Sequence, residues 1–115
     1  MAKDAFVDFV LDQLRGLEET RSRRMFGGYG IYRGDTFFGI VSKGRLYFKT
    51  DPSTARQYRA LGMATFHPRP DQELKNYFEV PVDVLEDDGR LVEWAREAVR
   101  VAVEAGAKRS SKRRR

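Results

Sequence analysis

Cysteine is absent from the 115 residues, and histidine occurs once, at position 67. Without a thiol there is no disulfide framework, no cysteine nucleophile and no thiolate metal site. A lone imidazole cannot form a histidine metal cluster from one chain. Long apolar runs are missing too. The longest is Phe37-Phe38-Gly39-Ile40-Val41, far below the roughly 20 residues that a membrane-spanning helix needs. The N-terminus lacks the apolar stretch of a targeting signal, because Asp4, Asp8 and Asp12 interrupt it. Together these absences read as a cytoplasmic protein with no membrane partner, no metal and no cofactor.

An excess of one charge sign is also lacking over most of the chain. The formal net charge is +5, but six of the 22 basic side chains fall in the last eight residues: Lys108, Arg109, Lys112, Arg113, Arg114 and Arg115. The remainder holds 16 basic against 17 acidic residues, a balance that is no nucleic-acid footprint, whereas the C-terminal cluster is a candidate one. Clustered Lys and Arg neutralise phosphates and release counterions, giving salt-sensitive and sequence-indifferent binding. The alternative is a segment that only solubilises the chain end. The expected layout is one domain over residues 1–106 followed by a disordered basic tail, 107–115.

What is present reads as alternating helical and strand texture. Phe6, Phe9, Val10, Leu14 and Leu17 recur every three or four residues and predict an amphipathic first helix. Between Ser22 and Thr50 short β-type runs are divided by glycines: Arg24 to Phe26, Tyr29 to Tyr32, Thr36 to Ser42 and Arg45 to Lys49. Connections this short make antiparallel neighbours. Asp51 as cap, Pro52 at the first turn and Gly62 past the end punctuate a second helix. Met63 to Phe66 is a brief strand, His67 to Asp71 a loop because of Pro68 and Pro70, and Asn76 to Val80 a further strand. A last helix starts near Asp87 or Asp88, carries Leu91, Trp94, Ala95, Ala98, Val101, Ala102 and Ala105, and closes at Gly106. The order α-β-β-β-β-α-β-β-α predicts a two-layer α+β fold, an antiparallel sheet with helices packed on one face.

Strand alternation then sorts the faces. Leu46, Phe48, Phe78 and Val80 are expected in the core, leaving Arg45, Tyr47, Lys49, Tyr77 and Glu79 on the other face. Tyrosines interleaved with basic residues suit a protein partner or stacked bases. They equally suit a solvated or self-associating sheet, so a homodimer through this face is compatible with either reading. An RNA-recognition motif does not fit, because that domain opens with a strand.

Candidate chemistry is thin. Gly27-Gly28-Tyr29-Gly30 has no following Gly-Lys-Ser/Thr and no following helix, so it is neither a phosphate loop nor a dinucleotide fingerprint. Close backbone packing or a bulge explains such glycines better. His67 precedes a proline and has no acidic or hydroxyl partner at a suggestive spacing. Glu86-Asp87-Asp88 stands where capping and dipole compensation call for acid. No catalytic set emerges, and the chain reads as a non-enzyme.

Four segments carry a resemblance: Arg23-Arg24-Met25-Phe26-Gly27-Gly28-Tyr29-Gly30-Ile31-Tyr32, Gly44-Arg45-Leu46-Tyr47-Phe48-Lys49, Tyr77-Phe78-Glu79-Val80-Pro81 and Leu91-Val92-Glu93-Trp94-Ala95. In this order they resemble the N-terminal domain of the TfoX/Sxy family, over nearly all of the body. The resemblance implies a two-layer α+β fold and a regulatory association with competence (DNA-uptake) gene expression. It implies no catalytic residues. Fuller regulators of the family carry a second, helical domain after this one, where this sequence continues into its basic segment. The expectation is a non-enzymatic regulatory domain binding a protein of the transcription or competence machinery. The alternative is a nucleic-acid-binding protein using the basic tail and the sheet face.

Overall fold

In the computed structural model, residues 4–25 and 27–113 are described, the last six of them in backbone only. The elements run α1 (Ala5–Gln13), β1 (Thr20–Met25), β2 (Gly28–Arg33), β3 (Thr36–Ser42), β4 (Arg45–Lys49), α2 (Pro52–Ala60), β5 (Thr65–Arg69), β6 (Gln72–Glu79), α3 (Val82–Leu85) and α4 (Asp88–Arg113). The expected order is observed, with the single turn α3 added before the last helix. Six strands form one sheet in the order β1-β2-β3-β4-β6-β5, every neighbouring pair antiparallel.

The helices cover one face. Val7, Val10, Leu14 and Leu17 from the N-terminal helical region, Ala55 and Tyr58 from α2, and Leu91, Ala95 and Ala98 from α4 bury against Ile31, Phe38, Val41, Leu46, Phe48, Phe78 and Val80. All four residues assigned to the core by alternation lie there. Phe9 does not; it is 39% exposed, and Val7 takes its place in the stripe. Leu61, at the C-terminal end of α2, is also exposed.

Local signals account for the helix starts. Asp4 accepts from the backbone N–H groups of Phe6 and Val7 and so caps α1. Asp51 accepts from Ser53 N and Thr54 N, while the Thr54 hydroxyl accepts from Asp51 N, closing a capping box. The hydrogen bond from Thr54 N leads the effects that hold the Asp51 carboxyl below its ordinary range. A depressed acid stabilises the fold above its unfolded value of about 3.9, and the benefit is lost as pH falls through the folded value. Asp51→Ala is therefore expected to cost about 1–2 kcal/mol at neutral pH. The gap to wild type should close in acid below about pH 4, which urea titrations at pH 7 and pH 3 would measure.

Three boundaries differ from expectation. His67, Pro68 and Arg69 belong to β5 rather than to a loop. Here β5 is an outer strand, where a proline's missing N–H can face solvent, and its register to β6 shifts between Phe66 and Arg69. Its partner β6 accordingly starts at Gln72, not Asn76. Gly106 does not close the last helix: the α4 backbone stays helical to Arg113, so the tail boundary at residue 107 falls inside an element. Flanking Ala105 and Ala107 favour helix, and Gly106 lacks the positive φ of a helix stop.

A bulge resets the alternation of β3, so that Phe38 shares a face with Val41 and Phe37 with Ile40. Ile31 pairs with Gly39 and Tyr32 with Phe37, leaving Phe38 as the extra residue of β3. Phe38 enters the helix-covered core, and Phe37 packs on the other face.

Candidate functional site

The face away from the helices is not a flat tyrosine platform. Tyr47 and Tyr77 lie on it as alternation predicts, but they are only 9% and 6% exposed. With Ile40 and Phe66 they form a second apolar cluster, flanked by Phe37 and Leu74. The Phe66 ring stands 4.7 Å from that of Tyr47, and Phe37 stands 6.0 Å from Tyr77. Both tyrosine rings thus spend their surface on neighbours, leaving little area for stacked bases.

The remaining residues of the expected face surround this cluster. Arg45 donates to Glu79 at 2.9 Å across adjacent strands, and the Lys49 ammonium lies 5.1 Å from the centre of the Tyr77 ring. Burial first, then the Glu79 carboxylate, raises the Tyr47 phenol above its ordinary value and keeps it neutral. The five residues predicted from sequence therefore do share one face, with the tyrosines inside and the charges around them.

Beside the cluster the sheet is concave. A groove of about 620 Å³ runs between the β2–β3 and β5–β6 hairpins, walled by Phe37, Ile40, Phe66, Leu74 and Tyr77 and rimmed by Ser42, Arg69 and Gln72. Gly28 also lines it. A Cβ on Gly28 would collide with the Val41 carbonyl oxygen, and one on Gly30 would meet Phe37 Cε1 at 2.8 Å and Met25 Cε at 3.2 Å. Two glycines of the Gly27-Gly28-Tyr29-Gly30 run thus serve close packing on the groove side.

Sequence reasoning missed Phe37, Ile40, Phe66 and Leu74. The Phe37–Val41 run did carry a signal, since apolar residues at successive strand positions imply burial on both faces. Phe66 and Leu74 were hidden because Phe66 stood at the end of a strand expected to stop there and Leu74 lay outside any expected element, so neither was assigned to a face.

The other candidates do not assemble into a reaction centre. His67 is exposed, its Nδ1 3.3 Å from the Thr65 carbonyl oxygen. Asp87 accepts from Arg90 N at 3.1 Å, the capping role expected of it. Among the described residues no group of three His, Cys, Asp or Glu side chains is placed to hold a metal ion, and no helix is long and apolar enough to cross a membrane. Lys108, Arg109, Lys112 and Arg113 lie on the backbone of the final stretch of α4, beyond the buried Val101. Arg114 and Arg115 fall outside the described residues.

Comparison with known proteins supplies the context for this geometry. The family model of the TfoX N-terminal domain matches residues 12–102. The DNA transformation protein TfoX1 of Aliivibrio fischeri (strain ATCC 700601 / ES114) is 30% identical over 80 residues, which are 68% of this chain and 36% of that protein. The chain thus spans little more than a third of the length of that relative. With the helix-covered sheet in place and the matched segment running from α1 into α4, the chain belongs to the TfoX N-terminal domain family.

Proposed function

We propose that this chain is a non-enzymatic regulatory module of DNA transformation that works by binding a protein of the transcription or competence machinery in the groove of its helix-free sheet face. The observation that carries this reading is the groove itself: a concave apolar wall with a small polar rim, the composition of a recognition surface, on the side that no helix covers. The absence of a sulfur nucleophile from the sequence and the capping role of Asp87 agree with binding rather than turnover. The name of the A. fischeri relative supports the transformation context.

The experiment is DNA-uptake frequency in the host lacking this gene, complemented with wild type or with Leu74→Lys. Leu74 is only partly buried against the cluster, so circular dichroism should match wild type while uptake falls about tenfold or more, as for a charge placed in a binding pocket. Unchanged uptake on deleting the gene would end the transformation role. Full activity of Leu74→Lys would remove the groove from it.

A second reading rests on the basic end of α4, which extends past the packed body and can contact nucleic-acid phosphates. Replacing Lys108, Arg109, Lys112 and Arg113 by glutamine should then abolish binding of the full chain to duplex DNA at low salt. Binding that survives the replacement, or that is insensitive to salt, would remove this reading.

A further inference from the structure

The sheet has two edges, and they differ in what they offer. The β5 edge carries Pro68, which has no N–H to give, and its register is broken on both sides of Phe66. The β1 edge is continuous: Thr20 to Met25 pair one for one with Arg33 to Gly28, without a bulge, proline or glycine in β1. Gly34 N donates to Glu19 O at 2.9 Å. Antiparallel ladders alternate from such a pair, so Arg21, Arg23 and Met25 bond toward β2, and the N–H and C=O groups of Thr20, Ser22 and Arg24 face outward. This is an alternating row of donors and acceptors at the spacing of a strand partner.

Charge says which partner fits. Arg21, Arg23 and Arg24 are all exposed. Arg21 lies 3.7 Å from Asp35 and over the Tyr32 ring, while Arg23 and Arg24 make no ion pair among the described residues. Glu18, Glu19 and Asp35 lie beyond the Thr20 end of the strand or at the adjoining hairpin tip, as does Arg33. A second copy is a poor partner, because antiparallel self-pairing centred on Ser22 or Arg23 sets arginine opposite arginine, which is destabilising. A nucleic-acid backbone could meet the arginines, but its phosphates only accept and would leave the outward carbonyls unused.

We propose that β1 is a strand-addition edge that takes an extended acidic segment of a partner protein as a seventh strand, with its carboxylates against Arg23 and Arg24. Of β1 only Met25, at its end, lines the groove; the Thr20–Arg24 stretch does not, and the proposal does not depend on the groove reading. Backbone pairing supplies the affinity and the arginines the selectivity, as in other strand-addition complexes.

The test uses the full chain and a capped, fluorescent peptide of about eight residues, long enough for one strand, with valines flanking a central run of glutamates, because Arg23 and Arg24 point to opposite faces of the sheet and consecutive carboxylates reach both. A valine–lysine peptide and a short DNA duplex are the controls. The glutamate peptide should bind at low salt and the lysine peptide should not. Ser22→Pro leaves every charge in place and suits an edge position whose N–H faces solvent, yet it should weaken binding about tenfold or more. Arg23→Glu with Arg24→Glu should do the same by reversing the charge. On binding, amide exchange should slow at Thr20, Ser22 and Arg24, while Arg21 and Arg23, already bonded to β2, should change little. No binding at about 1 mM peptide, where even a weak complex would register, overturns the proposal. So does unchanged peptide affinity in Ser22→Pro. Duplex binding that is lost in the double glutamate variant but intact in Ser22→Pro, without peptide binding, would assign the edge to phosphates instead. Peptide binding abolished by Leu74→Lys alone would move the site to the groove, overturning the edge while leaving the groove reading standing.

Discussion

Gly28→Ala is expected to destabilise this domain by about 3 kcal/mol or more, the upper range for forcing an atom into a packed interior. The β2 and β3 backbones approach so closely at this point that an added methyl group would occupy the place of the Val41 carbonyl oxygen. No rotamer change relieves a clash with main chain. The hairpin would have to open, and Tyr29 and Val41 pair directly beside the contact. Gly30→Ala should be milder, because the added atom meets the movable ends of Phe37, Tyr32 and Met25. Gly106→Ala should run the other way, gaining up to about 1 kcal/mol, since a helical glycine in open space carries only an entropic cost. Urea midpoints of the three variants check the series. A Gly28→Ala protein as stable as wild type would show that the two strands can separate there without cost.

That contrast also shows what was legible in the sequence. Glycines flanked by tyrosine and isoleucine could be recognised as packing devices rather than a phosphate loop, because both nucleotide motifs need a helix that Ile31 and Tyr32 do not begin. Capping was legible for the same local reason: Asp51, Pro52 and Gly62 act through their own backbone neighbours. Alternation placed Leu46, Phe48, Phe78 and Val80 in the core and Tyr47 and Tyr77 opposite, because β4 pairs with the end of β6 without a bulge.

The parts that stayed hidden depend on distant chain. Pro68 reads as a strand breaker unless it is known that β5 lies at the edge, and that follows only from β6 slotting beside β4. With the strand expected to stop at Phe66 and its place in the sheet unknown, nothing in the sequence set Phe66 against Tyr47, so a buried cluster looked like an open platform. The bulge at Phe38 likewise arises between two strands and leaves no mark in either alone. Gly106 misled in the opposite direction, as a helix-stop residue in a stretch where alanines on both sides carry the helix through. The candidate site was therefore half visible: its tyrosines and charges were found, and its groove was not.

Tyr58→Ala should be the other severe variant, costing about 3–5 kcal/mol, the range for deleting a buried aromatic side chain. Tyr58 is 2% exposed and joins elements far apart in the chain. Its ring stands edge-on to Trp94 of α4 at 4.9 Å and tilted to Phe78 of β6 at 5.6 Å. Truncation to alanine leaves a cavity where α2, α4 and the sheet meet, and none of the three can collapse into it without losing its own packing. A domain of this size has about 5–15 kcal/mol in total, so the loss is a large fraction of the whole. Burial also raises the Tyr58 phenol well above its ordinary value, which means the ring resides there as a neutral hydrophobe. Tyr58→Phe keeps the ring and should therefore stay within about 1.5 kcal/mol of wild type, as volume-conserving core changes do. Thermal melts of the two variants separate ring from hydroxyl. A phenylalanine variant as unstable as the alanine one would place the stabilisation in the hydroxyl and overturn the packing account of the α2–α4 junction.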